Sequence, residues 1–126
     1  MILVDTSIWI DHLHVGDPRL IELLGQSQVV THQMVIGELA LGRLKDRDLV
    51  LGSLAGLSSV VEASHGEVMH LVESKQLFGR GISLVDAHLL ASLLLNPGTA
   101  LWTRDKRLNQ AAVDLAVDYI DEAQSL

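Results

Sequence analysis

Short apolar runs alternate with helix-start signatures along this 126-residue chain, and no hairpin signal joins any two of the runs. That alternation is the strongest constraint on the fold. Strands separated by helices pair in parallel, and a parallel sheet must be covered on both faces. Right-handed crossovers then bring the carboxyl ends of the strands to one edge. The expected class is α/β, with a central parallel sheet between helical layers, in a single domain over 1–126.

The punctuation places the elements. Ile2-Leu3-Val4 reads as a first strand, and a short helix follows from about Ser7 to Leu13. Asp17-Pro18 is an N-cap followed by proline at the first helical position, and the helix behind it stops at Gly25. Gln28-Val29-Val30 is a short second strand. The spacing of Met34, Val35, Ile36, Leu39 and Ala40 predicts a helix from Gln33 to Leu44. Asp46 or Asp48 can cap another helix ending near Gly56, and Ser59-Val60-Val61 is a third strand. Ser64 to Glu67 and Ser83 to Asp86 both have the capping-box pattern, with the loop Phe78-Gly79-Arg80-Gly81 between their helices. The helix after Ser83 is apolar nearly all round, which predicts burial between layers. Asn96-Pro97-Gly98 ends it. Thr99 to Thr103 is a strand, a helix starts at Asp105, and a short strand near Ala116 to Asp118 finishes the domain.

Composition narrows the chemistry. The chain is 48% hydrophobic but only 3% aromatic, so Leu, Val, Ile and Ala must fill the core. There is no cysteine, which removes disulfides, thiolate metal sites and cysteine nucleophiles. Acids at positions 5 and 11 interrupt the N-terminal apolar stretch, so no signal peptide is expected. The apolar segment from Leu84 to Leu95 carries Asp86 and His88 and is too short to span a bilayer, so a soluble, cytoplasmic protein with no membrane partner is expected. A net charge of −7 makes the chain a poor non-specific binder of nucleic acid. It suits a cation, or a partner with a basic surface.

Four acids occupy places that can converge on the carboxyl edge of the sheet. Asp5 ends the first apolar run, where a buried strand delivers a charge to a cleft. Glu38 lies in the helix after the second strand, next to Gly37, where a backbone can come close. Asp86 is in the first turn of the buried helix, and Asp105 follows the Leu101 to Thr103 strand. Each has a plain alternative. Asp5 can cap the first helix, although Thr6 and Ser7 already offer that; Glu38 can be a solvated helix residue. Asp86 can serve only its own helix end, and Asp105 can be an N-cap or a surface charge. If the four do meet, they repel one another and cannot all stay ionised without a cation. An all-oxygen site suits Mg²⁺ or Mn²⁺.

Together these segments resemble the PIN-domain nucleases and, within them, the toxin members of VapBC toxin–antitoxin modules. The resemblance is carried by Ile2 to Asp11, Val35 to Gly42, Ser83 to Ser92 and Leu101 to Asp105, and it covers the whole chain. It implies a three-layer α/β/α sandwich and metal-dependent endoribonuclease activity, by attack of water on an RNA phosphodiester. Asp5, Glu38, Asp86 and Asp105 would hold one or two Mg²⁺, with Mn²⁺ able to substitute. Thr6 or Ser7, and Thr103, sit where hydroxyls in the family orient the first acid or a metal water. A small antitoxin covering the active site is implied as partner, with a homodimer or a hetero-oligomer with that antitoxin as the assembly.

Basic residues that can hold an RNA backbone are Arg80, in its Gly-flanked loop, Arg104, Lys106 and Arg107 around Asp105, and Arg43, Lys45 and Arg47 at the end of the Glu38 helix. Helix-end charges on a solvated surface are the plain alternative. The six histidines form no metal pattern, and Trp9 and Trp102 look like core aromatics, Trp9 alternatively lining a partner groove. A phospho-receiver domain wants a pair of acids after strand one and a lysine after the last strand; here Asp5 is followed by Thr6 and Ser7, and Asp118 by Tyr119. A haloacid-dehalogenase-type phosphotransferase wants an acid at position 7. A PIN fold kept as a binding module without cleavage is the remaining alternative.

Overall fold

The computed structural model describes residues 1–120. Its strands are β1 (Ile2–Val4), β2 (Val29–Thr31), β3 (Ser58–Ser59) and β4 (Ala100–Trp102). They form one parallel sheet in the order β3-β2-β1-β4. Helices α1 (Thr6–Val15), α2 (Pro18–Gly25), α3 (Gln33–Leu41), α4 (Arg47–Ala55), α5 (His65–Ser74), α6 (Leu84–Leu94) and α7 (Lys106–Asp114) cover it, giving the α/β/α sandwich. No helix among the described residues is long and apolar enough to cross a membrane.

The strand order positions the site. From β1 the chain builds outward through β2 to β3, then returns to add β4 on the opposite side of β1. The order reverses between β1 and β4, and in open α/β sheets the ligand crevice opens at that point, outside the carboxyl ends of the strands. Leu3 pairs with Leu101 and Val4 with Trp102, so the residues after β1 and after β4 emerge side by side. The Asp5 N–H still donates to the Trp102 carbonyl at 2.9 Å, which fixes the backbone of Asp5 to the sheet.

The aliphatic core forms as composition requires. Leu3, Val4, Ile8, Leu20, Val35, Leu89, Leu90, Leu101 and Leu108 are fully buried, each contributing about 1.5–3 kcal/mol relative to exposure. Every residue from Ala87 to Leu93 is buried, so α6 is the interior helix that its all-round apolarity predicts. Trp9 and Trp102 are both core residues. The one hydroxyl inside α6 is fully satisfied. Ser92 Oγ donates to the His88 carbonyl (2.8 Å), accepts from the Ala63 N–H (3.0 Å) and lies 3.0 Å from Nε2 of the buried His32. His32 Nδ1 accepts from the Met34 N–H, so the neutral ring donates through Nε2 and ties the end of β2 to α6.

Several boundaries differ from expectation. Helix α1 extends to Val15, and α3 stops at Leu41 rather than Leu44 because Gly42 turns extended. The third strand is only Ser58–Ser59, because Val61 instead exchanges two backbone bonds with the Asn96 side chain. The strand near Ala116 to Asp118 reduces to a single bridge between Leu101 and Asp118. Asp46 precedes α4 in a left-handed conformation (φ 52°) and makes no side-chain cap bond, while Asp48 lies inside the first turn. A Cβ at Gly37 would meet nothing within 4 Å, so the close backbone approach expected beside Glu38 does not occur.

Candidate active site

Asp5 occupies the N-cap position of α1 yet makes no side-chain cap bond. Its carboxylate, in a residue only 6% exposed, forgoes a contact that caps ordinarily make for about 1 kcal/mol. The oxygen Oδ2 accepts instead from Thr103 Oγ1 at 2.7 Å and from Ser7 Oγ at 3.0 Å. Burying a carboxylate is tolerated only with such partners. The two hydroxyls come from the first turn of α1 and the residue after β4, so the strand order itself supplies them.

Thr6 does something different from its neighbour. Its Oγ1 donates to Glu38 Oε1 at 2.8 Å, which draws the half-buried α3 acid to the segment carrying Asp5. Thr103 also serves a second acid, accepting from the Asp105 N–H at 3.0 Å. Asp105 then caps α7, its Oδ1 accepting from the N–H groups of Arg107 (2.9 Å) and Leu108 (3.1 Å). Asp86 completes its capping box with Ser83, Oδ2 accepting from the Ser83 N–H at 3.0 Å.

Capping and site roles therefore do not exclude one another. In each of the four acids one oxygen is held by the protein, and the other accepts no hydrogen bond from the described residues. None of the four has a cationic partner among those residues. Asp5, Asp86 and Asp105 all stand at helix N-termini, whose partial positive charge favours carboxylates. Burial pushes the Asp86 carboxyl above its ordinary value, the charges of Asp5 and Asp105 add to the rise, and its bonds to Ser83 only partly offset it. The charges of Asp5 and Asp105 thus bear on Asp86.

The donor set is hard oxygen with neither thiolate nor clustered imidazole, the chemistry of an oxygen-loving divalent cation. As they stand, no three His, Asp or Glu side chains among the described residues close tightly enough to grip one bare ion. A cation that keeps several of its waters, as Mg²⁺ does, does not need all four acids to close on it directly.

The arginines hold a different surprise. Arg104 reaches Asp11 through Nη1 and Asp17 through Nη2 (2.6 Å), while its N–H donates to Ser7 Oγ at 3.2 Å. Burial pushes the Asp17 carboxyl up, but the Leu20 N–H and Arg104 outweigh this and hold it below the usual carboxylate value. Arg104 thereby clamps the β4–α7 turn to the body of α1 and to the N-cap of α2. Arg80 is paired with Asp114 at 2.7 Å. Lys106 has no ion pair among the described residues. Nothing in the local sequence marks Asp11 and Asp17 as the partners of Arg104, since the pairing spans the length of the chain.

The PIN-domain family model matches residues 2–114. The chain belongs to the PIN-domain family. It is also 51% identical over 122 residues to Ribonuclease VapC32 of Mycobacterium tuberculosis, from strain CDC 1551 / Oshkosh and equally from strain ATCC 25618 / H37Rv. The match covers 97% of this chain and 98% of each relative, so the similarity runs over nearly the full length of both.

Proposed function

We propose that this PIN-domain protein is a metal-dependent endoribonuclease that hydrolyses RNA phosphodiester bonds, and that it is the toxin of a toxin–antitoxin pair. The observation that carries this is the uncommitted oxygen on each of Asp5, Glu38, Asp86 and Asp105, at the one edge where the sheet reverses its order. The similarity to a protein named as a ribonuclease supports the same reading. These four residues would hold the cation, Mg²⁺ with Mn²⁺ as substitute. When bound, the cation supplies an activated water at neutral pH and neutralises charge on the reacting phosphate.

The chain's own groups do the rest. Ser7 and Thr103 orient Asp5 through Oδ2 and leave Oδ1 without a hydrogen bond from the described residues. Thr6 fixes Glu38, and the helix caps hold one oxygen each of Asp86 and Asp105 still. Rigid support of this kind sets ligand direction and metal affinity. The acidic edge suits a neutralising antitoxin that brings a basic side chain. A cleft of about 520 Å³ beside Glu38, lined by Ile10, Leu13 and Leu44 together with Arg43 and Lys45, offers such a partner apolar contact.

The test is cleavage of single-stranded RNA with Mg²⁺ or Mn²⁺ by matched preparations of wild type and Asp5→Asn. Loss of cleavage in the variant, with its thermal unfolding retained, is the expected result. Equal cleavage by both would refute the assignment, and RNA binding without cleavage by wild type would mark a non-catalytic binding module. Growth arrest on expression, relieved by co-expressing a small protein encoded next to it, tests the toxin role.

A further inference from the structure

An acidic chain that cuts RNA must hold a polyanion beside four carboxylates, and with a net charge of −7 its overall field works against this. The nearby cations are not equivalent. Arg80 and Arg104 spend their charge on Asp114, Asp11 and Asp17. Arg107, in the first turn of α7, has no carboxylate at ion-pair distance among the described residues. It is also exposed.

Arg107 nevertheless packs closely on a neighbouring segment. Its side chain lies across Gly81: a Cβ built there would stand 2.5 Å from Nη1, 2.9 Å from Cδ and 3.1 Å from Cζ. Gly81 has φ +76°, a conformation that other residues adopt only with strain. The positive φ favours glycine here, and the space left by the missing Cβ is where the Arg107 side chain lies. The Arg107 backbone is tied to Asp105 Oδ1, and Gly81 lies just ahead of Ser83, whose N–H is held by Asp86. The guanidinium therefore rests on the segment leading to one site acid while its backbone is fixed by another. Lys106 likewise has no ion pair among the described residues. A planar guanidinium matches the oxygens of a phosphate in two-pronged fashion, which a lysine does not.

We propose that Arg107, seated on Gly81, is the phosphate-binding residue of the acidic site, gripping the RNA backbone beside the bond to be cut, and that Gly81 is its positioning residue. This rests on the ribonuclease reading. Binding of a fluorescein-labelled, mixed-sequence single-stranded RNA is followed by anisotropy in the Asp5→Asn chain, which reads the contact without turnover. Adding Arg107→Ala should weaken binding several-fold and flatten the plot of log affinity against log salt by about 0.7, the share of one phosphate contact in a single strand. Lys75→Ala, at the end of α5, should leave the slope unchanged. Gly81→Ala should flatten it as Arg107→Ala does, and the double variant should lose nothing further, whereas a purely structural role for Gly81 would add an independent loss. Arg107→Lys should recover the slope but not the full affinity. A slope unmoved by Arg107→Ala, with a wild type that cleaves RNA, overturns this proposal alone. A wild type that never cleaves, with a slope that still depends on Arg107, overturns the ribonuclease reading alone.

Discussion

Replacing Thr103 with valine keeps the shape of the side chain and removes one hydroxyl, so it isolates what that hydroxyl does. The hydroxyl donates to Oδ2 of the buried Asp5 at 2.7 Å and accepts from the Asp105 N–H at 3.0 Å. Water replaces the second contact because Asp105 is exposed. The first is a hydrogen bond to a charged group, and its loss costs about 1.5–3 kcal/mol. Ser7 still donates to the same oxygen, so Asp5 is weakened in its orientation rather than abandoned. For a chain of this size the cost corresponds to a fall in melting temperature of roughly 5–15 °C. A carboxylate freed to rotate also binds a cation less well, and removing an outer partner of a metal ligand typically costs about 10–100-fold in affinity. Calorimetric titration with Mn²⁺ and differential scanning calorimetry read the two effects separately. A melting temperature within a degree or so of wild type, together with an Mn²⁺ affinity within about twofold, would refute the claim that Thr103 holds Asp5 for metal binding.

Other consequences follow from groups away from Asp5. Ser92→Ala leaves the His32 Nε2–H and the Ala63 N–H without a partner inside the core, so unfolding free energy should drop by about 2–4 kcal/mol in chemical denaturation; a drop under about 1 kcal/mol would mean that water or a neighbour replaces the hydroxyl. Burial holds the pKa of His32 below its ordinary value, with His88 adding to the fall and Glu62 opposing it. The unfolded chain therefore binds the proton more readily, and stability should be full above about pH 6.5 and decline as pH falls below it, a dependence that His32→Gln should lose in pH-resolved melts. Asp86→Asn keeps an acceptor for the Ser83 N–H while removing a charge whose pKa is raised in the fold. A raised carboxylate pKa destabilises the fold once ionised, so the variant should be inactive yet melt no lower than wild type at neutral pH, with any advantage gone below about pH 4; a clearly lower melting temperature at pH 7 would contradict this.

Local chemistry alone dictated much of this protein. Ile2-Leu3-Val4 is a strand because three apolar residues precede a polar break; Asp17-Pro18 starts a helix and both capping boxes form because cap bonds reach only a few residues. The nearly all-round apolarity of Leu84 to Leu94 put its middle, Ala87 to Leu93, in the interior. The four acids and Thr6, Ser7 and Thr103 were singled out by motif resemblance, although local sequence could not say which hydroxyl serves which acid. That was decided by tertiary structure: Thr6 turns to Glu38, while Ser7 meets Thr103 at Asp5, because β4 inserts beside β1 and delivers residue 103 across the crevice. The same return of the chain explains why Arg104 neutralises Asp11 and Asp17 instead of facing solvent, and why Arg107 comes to lie on Gly81. These contacts join residues far apart in sequence, and their energies exist only once the sheet has brought the partners together. Helix caps and buried strands answer to neighbours a few positions away, whereas the site and its charge balance answer to the order of the strands.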